Sequence, residues 1–574
     1  MKFSEFAHHL EKIERVSSRL EITRLLSELL KQLNPDEIAQ SLYLMQGRIA
    51  PQYVALEFGM AEKMVSKSAQ TAMNIEKKYF ETELKKLGDI GQAVEHFKKQ
   101  YASFDQEDLE IVTVFDHLEQ LAKESGKASQ ERKGNILAQL IRQLDPRSCR
   151  FLVRIPLGAL RIGFSDMTVL DALSWMVQGD KGLRSVIEQA YHVRPDIGYI
   201  AQLVKKNGVS ALRSVRPEVF TPILMMRAER LSSGQEIIDK IGRCSVESKY
   251  DGFRLQIHLS NREVKLYSRS LEDMTYMYPD IVAAVLHHVT VKSAIFEGEA
   301  IGYDPKTQKL LLFQETVQRK RKHDIEEKAK EIPLRLFVFD LLYLDGKSCI
   351  DEPFLERRKR LSQVVQTDSS GTAPILLAAD NIVDDPQEIE QMFDEAIAQG
   401  LEGILAKKLD GVYQAGARGW NWIKFKRSYS SKIDDTIDCL VMGYDYGKGK
   451  RTAFGIGAFL VGVYDEKLER FVTAAKIGTG LTDEEWRRLK NESDQHAIKK
   501  MPEEYEVHKL MHCDVWVKPK IVVEIKADEL TKSPTHTAEY ALRFPRLERF
   551  RTDKKPEDAT SLNEYRKMFE AQKK

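Results

Sequence analysis

Lys249 stands in Glu247-Ser248-Lys249-Tyr250-Asp251-Gly252-Phe253-Arg254, and four further charged clusters follow it in order along the chain. A lysine amine attacks an electrophile only after it loses its proton, so a nucleophilic lysine needs positive neighbours or an ion that disfavour the ammonium form. Gly252 beside it permits a tight turn and the close approach of a ligand. Glu297 and Glu299 lie two apart in Phe296-Glu297-Gly298-Glu299-Ala300, a spacing that on a strand sends both carboxylates to one face. Ile295 and Ile301 flank them, which favours acids engaged with a cation or a sugar hydroxyl over acids left in water. Glu402 opens Glu402-Gly403-Ile404-Leu405-Ala406-Lys407, and Lys424 and Lys426 alternate with Ile423 and Phe425, so both cations share a strand face. Two cations held side by side make a fixed site for a phosphate whose charge spreads during phosphoryl transfer. A lone lysine in a turn would be a surface residue, and a solvated edge strand would account for Lys424 and Lys426 taken alone. The ordered series argues for nucleotidyl transfer instead.

The series resembles that of the ATP-dependent DNA ligases of the archaeal and eukaryotic replicative type, from about the first helix to Lys554. The resemblance implies that Lys249 attacks the α-phosphate of ATP, releases pyrophosphate and carries AMP. It puts Glu247, Arg254, Arg269, Glu299, Phe339, Arg418, Lys424 and Lys426 around the nucleotide, with Lys407 nearby. It sets Glu299 and Glu402 beside a magnesium ion, or manganese in its place. Phe339, in Leu336-Phe337-Val338-Phe339-Asp340-Leu341-Leu342-Tyr343, would stack on adenine, a contact between two flat π faces. Phe337 is the alternative in that run, which by composition alone is core. Glu297 has a structural role as its alternative. Arg543, Arg546, Arg551, Asp553 and Lys554 match the last family motif, whose cations would orient the pyrophosphate and withdraw when their domain turns to close on DNA.

The implied substrate is a nick in duplex DNA met in replication, repair or recombination. AMP would pass to the 5′-phosphate and be displaced by the 3′-hydroxyl. Arg269 would lie near that 5′-phosphate, and further contacts are expected from Arg319 and Lys320 in Arg319-Lys320-Arg321-Lys322-His323. Arg161, in Leu160-Arg161-Ile162-Gly163, and the run Ser129–Lys133 resemble the family's duplex-binding part. Backbone amides and cations at helix starts hold phosphates without reading sequence. A sliding-clamp peptide at Gln100-Tyr101-Ala102-Ser103-Phe104 lacks the paired terminal aromatics such a peptide carries. An mRNA-capping guanylyltransferase or RNA ligase would share the chemistry but not the long stretch ahead of Lys249. A silent duplex-binding relative would have lost a motif charge, and none is missing. An NAD-dependent ligase would carry a four-cysteine zinc site, whereas Cys149, Cys244, Cys349, Cys439 and Cys513 never form CxxC.

The elements that must hold these residues are legible as three parts. At 574 residues the chain exceeds a single core. From 1 to 217 the stripes are helical, as in Leu25, Leu26, Leu29, Leu30 and Leu33, and predict an all-α domain, which the resemblance implies is the DNA-binding one. From 218 to 430 alternating runs such as Leu255, Ile257 and Leu259, turned at Ser260-Asn261-Arg262, predict an α+β domain with helices near 355–366 and 386–399, which the resemblance implies is the adenylation domain. Beyond a polar hinge at Ser428–Ser431, strands at 454–464 and 520–526 predict a small β-barrel over 431–574, and an OB-fold would suit the nucleic-acid partner that the resemblance implies. Lys and Arg number 88 against 87 Asp and Glu, a net charge of +1, so any DNA surface must come from local segregation of charge. The start lacks a signal peptide and no stretch reaches the length of a membrane span, so a soluble, cytoplasmic monomer of prokaryotic type is expected.

Overall fold

Leu26, Leu29 and Leu30 are fully buried and Leu33 nearly so, which is what a three-and-four-residue repeat does when one helix face meets a core. Among the described residues every regular element from Phe3 to Ser214 is helical. Several helix starts are fixed locally. Asp145 accepts from the Arg147 and Ser148 amides at 3.0 and 3.2 Å with Pro146 behind it, and Asp196 accepts from the Tyr199 amide at 2.9 Å, each satisfying donors that a helix start leaves open. Arg154 is buried between helices and bonds Asp89 at 2.6 Å and Glu14 at 2.8 Å. The computed structural model describes residues 1–100, 106–321, 324–366, 372–426, 436–447 and 454–572. The expected hinge at Ser428–Ser431 lies outside them, as do all residues of the Gln100–Phe104 clamp window except Gln100.

The chain divides into the units Met1–Lys426 and Arg427–Lys574. Within the first, the helical core runs from Phe3 to Val215 and is separate from the core clusters of the sheets that follow. Those sheets are built from β1 (Arg227–Arg230), β2 (Cys244–Lys249), β3 (Phe253–Ser260), β4 (Glu263–Ser268), β5 (Ser293–Gly302), β6 (Leu334–Leu344), β7 (Lys347–Ser348), β8 (Ile375–Leu377), β9 (Asp380–Val383), β10 (Gly403–Lys408) and β11 (Arg418–Lys426). One sheet has the order β1-β11-β10-β2-β9, the other β4-β3-β5-β6-β7 with β8 beside β6. The β3–β4 hairpin turns on Asn261 and Arg262, both at positive φ (48° and 66°), the backbone that matches the twist of paired strands. Helices Phe354–Val364 and Pro386–Ala398 flank these strands in sequence.

The second unit carries an eight-stranded sheet in which Ile437–Asp445, Ala458–Asp465 and Arg470–Ile477 run antiparallel, and Val522–Lys526 pairs with both Ile437–Asp445 and Arg546–Phe550. Two helices, Asp483–Gln495 and Leu562–Ala571, were not anticipated there. Each opens on a reciprocal cap, Thr482 with Glu485 and Ser561 with Glu564.

Candidate active site

Three adjacent strands carry the charged series on one face. In the β2–β10–β11 ladder Lys249 is opposite Gly403, which is opposite Lys426, and Glu247 is opposite Leu405, which is opposite Lys424. Residues paired across a sheet share a face, and two-residue steps preserve it. The register therefore aligns Glu247, Lys249, Lys424 and Lys426, and Glu402 joins them from just before β10. Lys249 Nζ donates to Glu402 Oε2, the Glu402 amide donates to the Lys249 carbonyl at 3.2 Å, and Lys426 Nζ lies 3.8 Å from Glu402 Oε1. Gly252 ends the turn after Lys249. A Cβ there would sit 2.4 Å from the Ala300 carbonyl oxygen, so only glycine lets β2 lead so tightly into β3 beside β5.

This face opens on a cavity of about 750 Å³ lined by Lys249, Arg254, Arg269, Glu299, Phe339, Glu402, Arg418 and Lys424, with Glu247 on its wall. Lys426 is not part of the lining and reaches the site through Glu402. Burial, and then the charges of Arg418, Lys426, Lys249 and Arg269, lower the pKa of the Lys424 amine. Burial, Arg254, Arg227 and Arg418 likewise lower that of Arg269. Against these cations stands Glu299, whose carboxyl burial pushes up to about 7 despite the pull of Lys249 and Arg254.

A buried layer supports the lining. Arg254 donates to Glu297 at 2.7 Å and to the Met226 carbonyl at 2.8 Å, and its guanidinium lies 5.5 Å from the Phe339 ring and 5.2 Å from that of Trp422. Glu297, fully buried, also accepts from Gln256 at 3.2 Å and Tyr413 at 3.0 Å. Of its two expected alternatives, these contacts match the structural one. Lys407 is buried under Phe339 and Trp422 and bonds Glu247 at 2.7 Å and the Phe339 carbonyl at 3.2 Å. It therefore steadies the wall and does not line the cavity. Glu247 Oε1 is buried and accepts no hydrogen bond within the described residues. Phe339 lines the cavity, whereas Phe337 stacks on Tyr250 at 4.3 Å.

The duplex contacts fare differently. Arg319 is 2% exposed and bonds Asp280 at 2.6 Å, so the expectation that it meets a phosphate is corrected: it anchors its segment. Its neighbour Lys320 lines the cavity and lies 3.5 Å from Glu272. Lys322 and His323 fall outside the described residues. Lys133 is buried and donates to the Phe58 carbonyl. Arg161, at φ 61°, is held 3.2 Å from Asp89 and lines a cleft of about 1100 Å³ together with Lys63, Lys67, Lys77 and Lys85. In the second unit Arg551 and Lys554 converge on Asp438, Arg551 at 3.0 Å, while Asp553 pairs with Arg551, Arg543 with Glu529 and Arg546 with Asp528. Arg227 and Trp422 also line the cavity. Neither was singled out, because Arg227 sits in no charged motif and Trp422 reads as strand core.

Residues 225–426 match the family described as ATP dependent DNA ligase domain, 2–174 that of DNA ligase N terminus, and 452–554 that of ATP dependent DNA ligase C terminal region. The chain belongs to the ATP-dependent DNA ligases. The ligase is 44% identical to a probable DNA ligase of Dictyoglomus thermophilum over all of this chain and 98% of that one, and 40% identical to DNA ligase 2 of Thermofilum pendens with the same coverage. The solved structure Pmar-Lig_PreS3 shares the fold of the ligase with a TM-score of 0.56 at 17% identity, over 95% of this chain and 99% of that one. As a member of this family the chain uses ATP, with AMP as the intermediate, and magnesium is the ion general to the family.

Proposed function

We propose that the cavity beside Lys249 is where this ligase works. The deprotonated Lys249 amine bonds to the α-phosphorus of ATP as the bond to pyrophosphate breaks. The 5′-phosphate of a nick then attacks that phosphorus and frees the lysine, and the 3′-hydroxyl attacks the DNA phosphorus and expels AMP. The observation carrying this reading is the register that brings Lys249, Lys424 and Lys426 onto one sheet face, where Lys249 pairs with Glu402, beside a cavity that Glu299 and Phe339 also line.

Each lining residue has a fitting task. Phe339 offers a ring to adenine, and Glu247 Oε1, which has no donor among the described residues, accepts from its amino group. Glu299 meets the ribose, and Arg418, Lys424 and Arg269 meet phosphates, whose charge they hold at fixed positions, with Lys426 acting behind them through Glu402. Glu299 and Glu402 suit magnesium, which takes one or two carboxylates and completes its shell with substrate phosphates and water. Among the described residues there is no cluster of three or more His, Cys, Asp or Glu able to hold an ion. When bound, the ion spreads charge building on the phosphate oxygens.

The assignment extends to a division at 218 and 430, with an OB-fold after it whose Arg543, Arg546, Arg551, Asp553 and Lys554 serve the pyrophosphate. The helical part grips duplex through the cleft of Arg161, and Lys320 meets the DNA at the cavity. The ligase acts as a monomer inside the cell, and no described helix is long and apolar enough to cross a membrane. Labelled ATP, but not GTP, will transfer label to the wild-type protein. Lys249→Ala will lose both labelling and nick sealing while still retarding nicked duplex in a gel. Sealing by Lys249→Ala overturns the reading.

A further inference from the structure

The loop ahead of β11 that delivers Arg418 to the cavity is held from the helical part of the chain. His192 lies at the end of the helix Arg184–Val193, its side chain 14% exposed. Its carbonyl accepts from the Leu224 amide at 2.9 Å, and the Leu224 carbonyl accepts from the Gly416 amide at 2.7 Å. The His192 ring faces the Ala415 backbone and lies so close over Gly416 (φ +63°) that a Cβ there would be 2.7 Å from ring carbons. On the other side Arg227 donates to the Gly416 carbonyl at 2.8 Å through its guanidinium and to the Ala417 carbonyl at 3.0 Å through its amide. Arg227 and Arg418 face each other across the β1–β11 pairing, and both line the cavity. Val193 and Ala415 pack against the apolar cluster containing Phe339 and Trp422.

We infer that His192 is a positioning residue through which the helical part of the ligase sets Arg418 for the phosphates of ATP. A loop of small residues, Gly416 and Ala417 ahead of Arg418, has little side-chain packing of its own. Its geometry is therefore set by what clamps it, and misplacing a phosphate-binding cation by an ångström weakens binding. Because coupling between sites is reciprocal, bound ATP in turn favours the docked helical part. The inference rests on the reading of the cavity as the ATP site.

The test is single-turnover formation of the lysyl-adenylate against ATP concentration, with full-length protein. His192→Ala will raise the half-saturating ATP concentration about fivefold or more, with the rate at saturating ATP within about twofold of wild type. His192→Gln, which keeps a donor for Ala415, will recover most of the loss. In an Arg418→Ala background His192→Ala will add nothing, since coupled residues do not add. A His192→Ala curve that overlays wild type, or effects of the two substitutions that multiply, overturns the inference. Should His192→Ala fail to fold, His192→Leu, which fills the space but offers no donor to Ala415, will raise the half-saturating ATP concentration in the same way, and a wild-type curve for it overturns the inference. If wild-type protein forms no adduct at Lys249, the reading of the cavity has failed; if it does and the His192 series is flat, only the coupling has.

Discussion

Glu247 carries its acid under constraint. Burial raises its carboxyl pKa against the nearby Lys407 charge, and one oxygen is committed to Lys407 at 2.7 Å while the other has no donor among the described residues. A buried acceptor without a partner is costly, by about 1–3 kcal/mol, and adenine supplies a donor where guanine presents a carbonyl. Glu247→Gln will therefore narrow the preference for ATP over GTP in adduct formation by roughly tenfold or more; an unchanged ratio contradicts the role. His258 is neutral for a related reason. It is fully buried, its Nδ1 accepts from the Phe220 amide at 2.9 Å, and burial with Lys265 nearby lowers its pKa to about 3. The folded protein thus binds this proton less readily than the unfolded chain, whose histidine titrates near 6.5. The stabilisation is complete above that pH and is lost as pH falls toward 3, amounting to roughly 2 kcal/mol between pH 6.5 and 5. The apparent Tm of wild type will fall more steeply from pH 7 to 5 than that of His258→Asn, and parallel curves would contradict the assignment.

At the scale of elements, what was legible in the sequence was whatever a strand or helix repeats. Alternation at Lys424 and Lys426 and the two-residue step from Glu297 to Glu299 follow from strand geometry. Yet Glu297 and Glu299 part company, because the first meets Arg254 in the interior and the second meets the cavity. Which of two alternating acids is enclosed depends on what packs over them, and that comes from distant segments such as Tyr413. The basic run at 319–323 misled for the same reason, since its first arginine pairs with Asp280, 39 positions away. The two late helices had readable caps, Thr482 with Glu485 and Ser561 with Glu564, overlooked in a stretch dominated by strand texture. Arg357 and Asp340 join the helix Phe354–Val364 to β6 through an ion pair with both side chains fully buried, 2.7 Å apart. Arg357→Ala leaves Asp340 charged and enclosed, at a cost of about 3–5 kcal/mol. Thermal unfolding of this variant should begin on the order of 10 °C earlier, and a shift of a degree or less would contradict that account of the pair.

At the scale of the whole molecule, a balanced charge of +1 coexists with cavities in which cations outnumber the acids beside them. Lys249, Arg254, Arg269, Arg418 and Lys424 converge on one cavity, and Lys63, Lys67, Lys77, Lys85 and Arg161 line one cleft. Sealing requires that AMP pass through a covalent bond to the protein and then leave with the DNA, so the cycle can be halted between its steps. Wild-type protein incubated with ATP and magnesium, digested and mapped by mass spectrometry will carry a single AMP on the peptide containing Lys249, and the adduct will disappear when nicked duplex is added. An adduct on any other residue, or sealing with no adduct ever formed, would contradict the account.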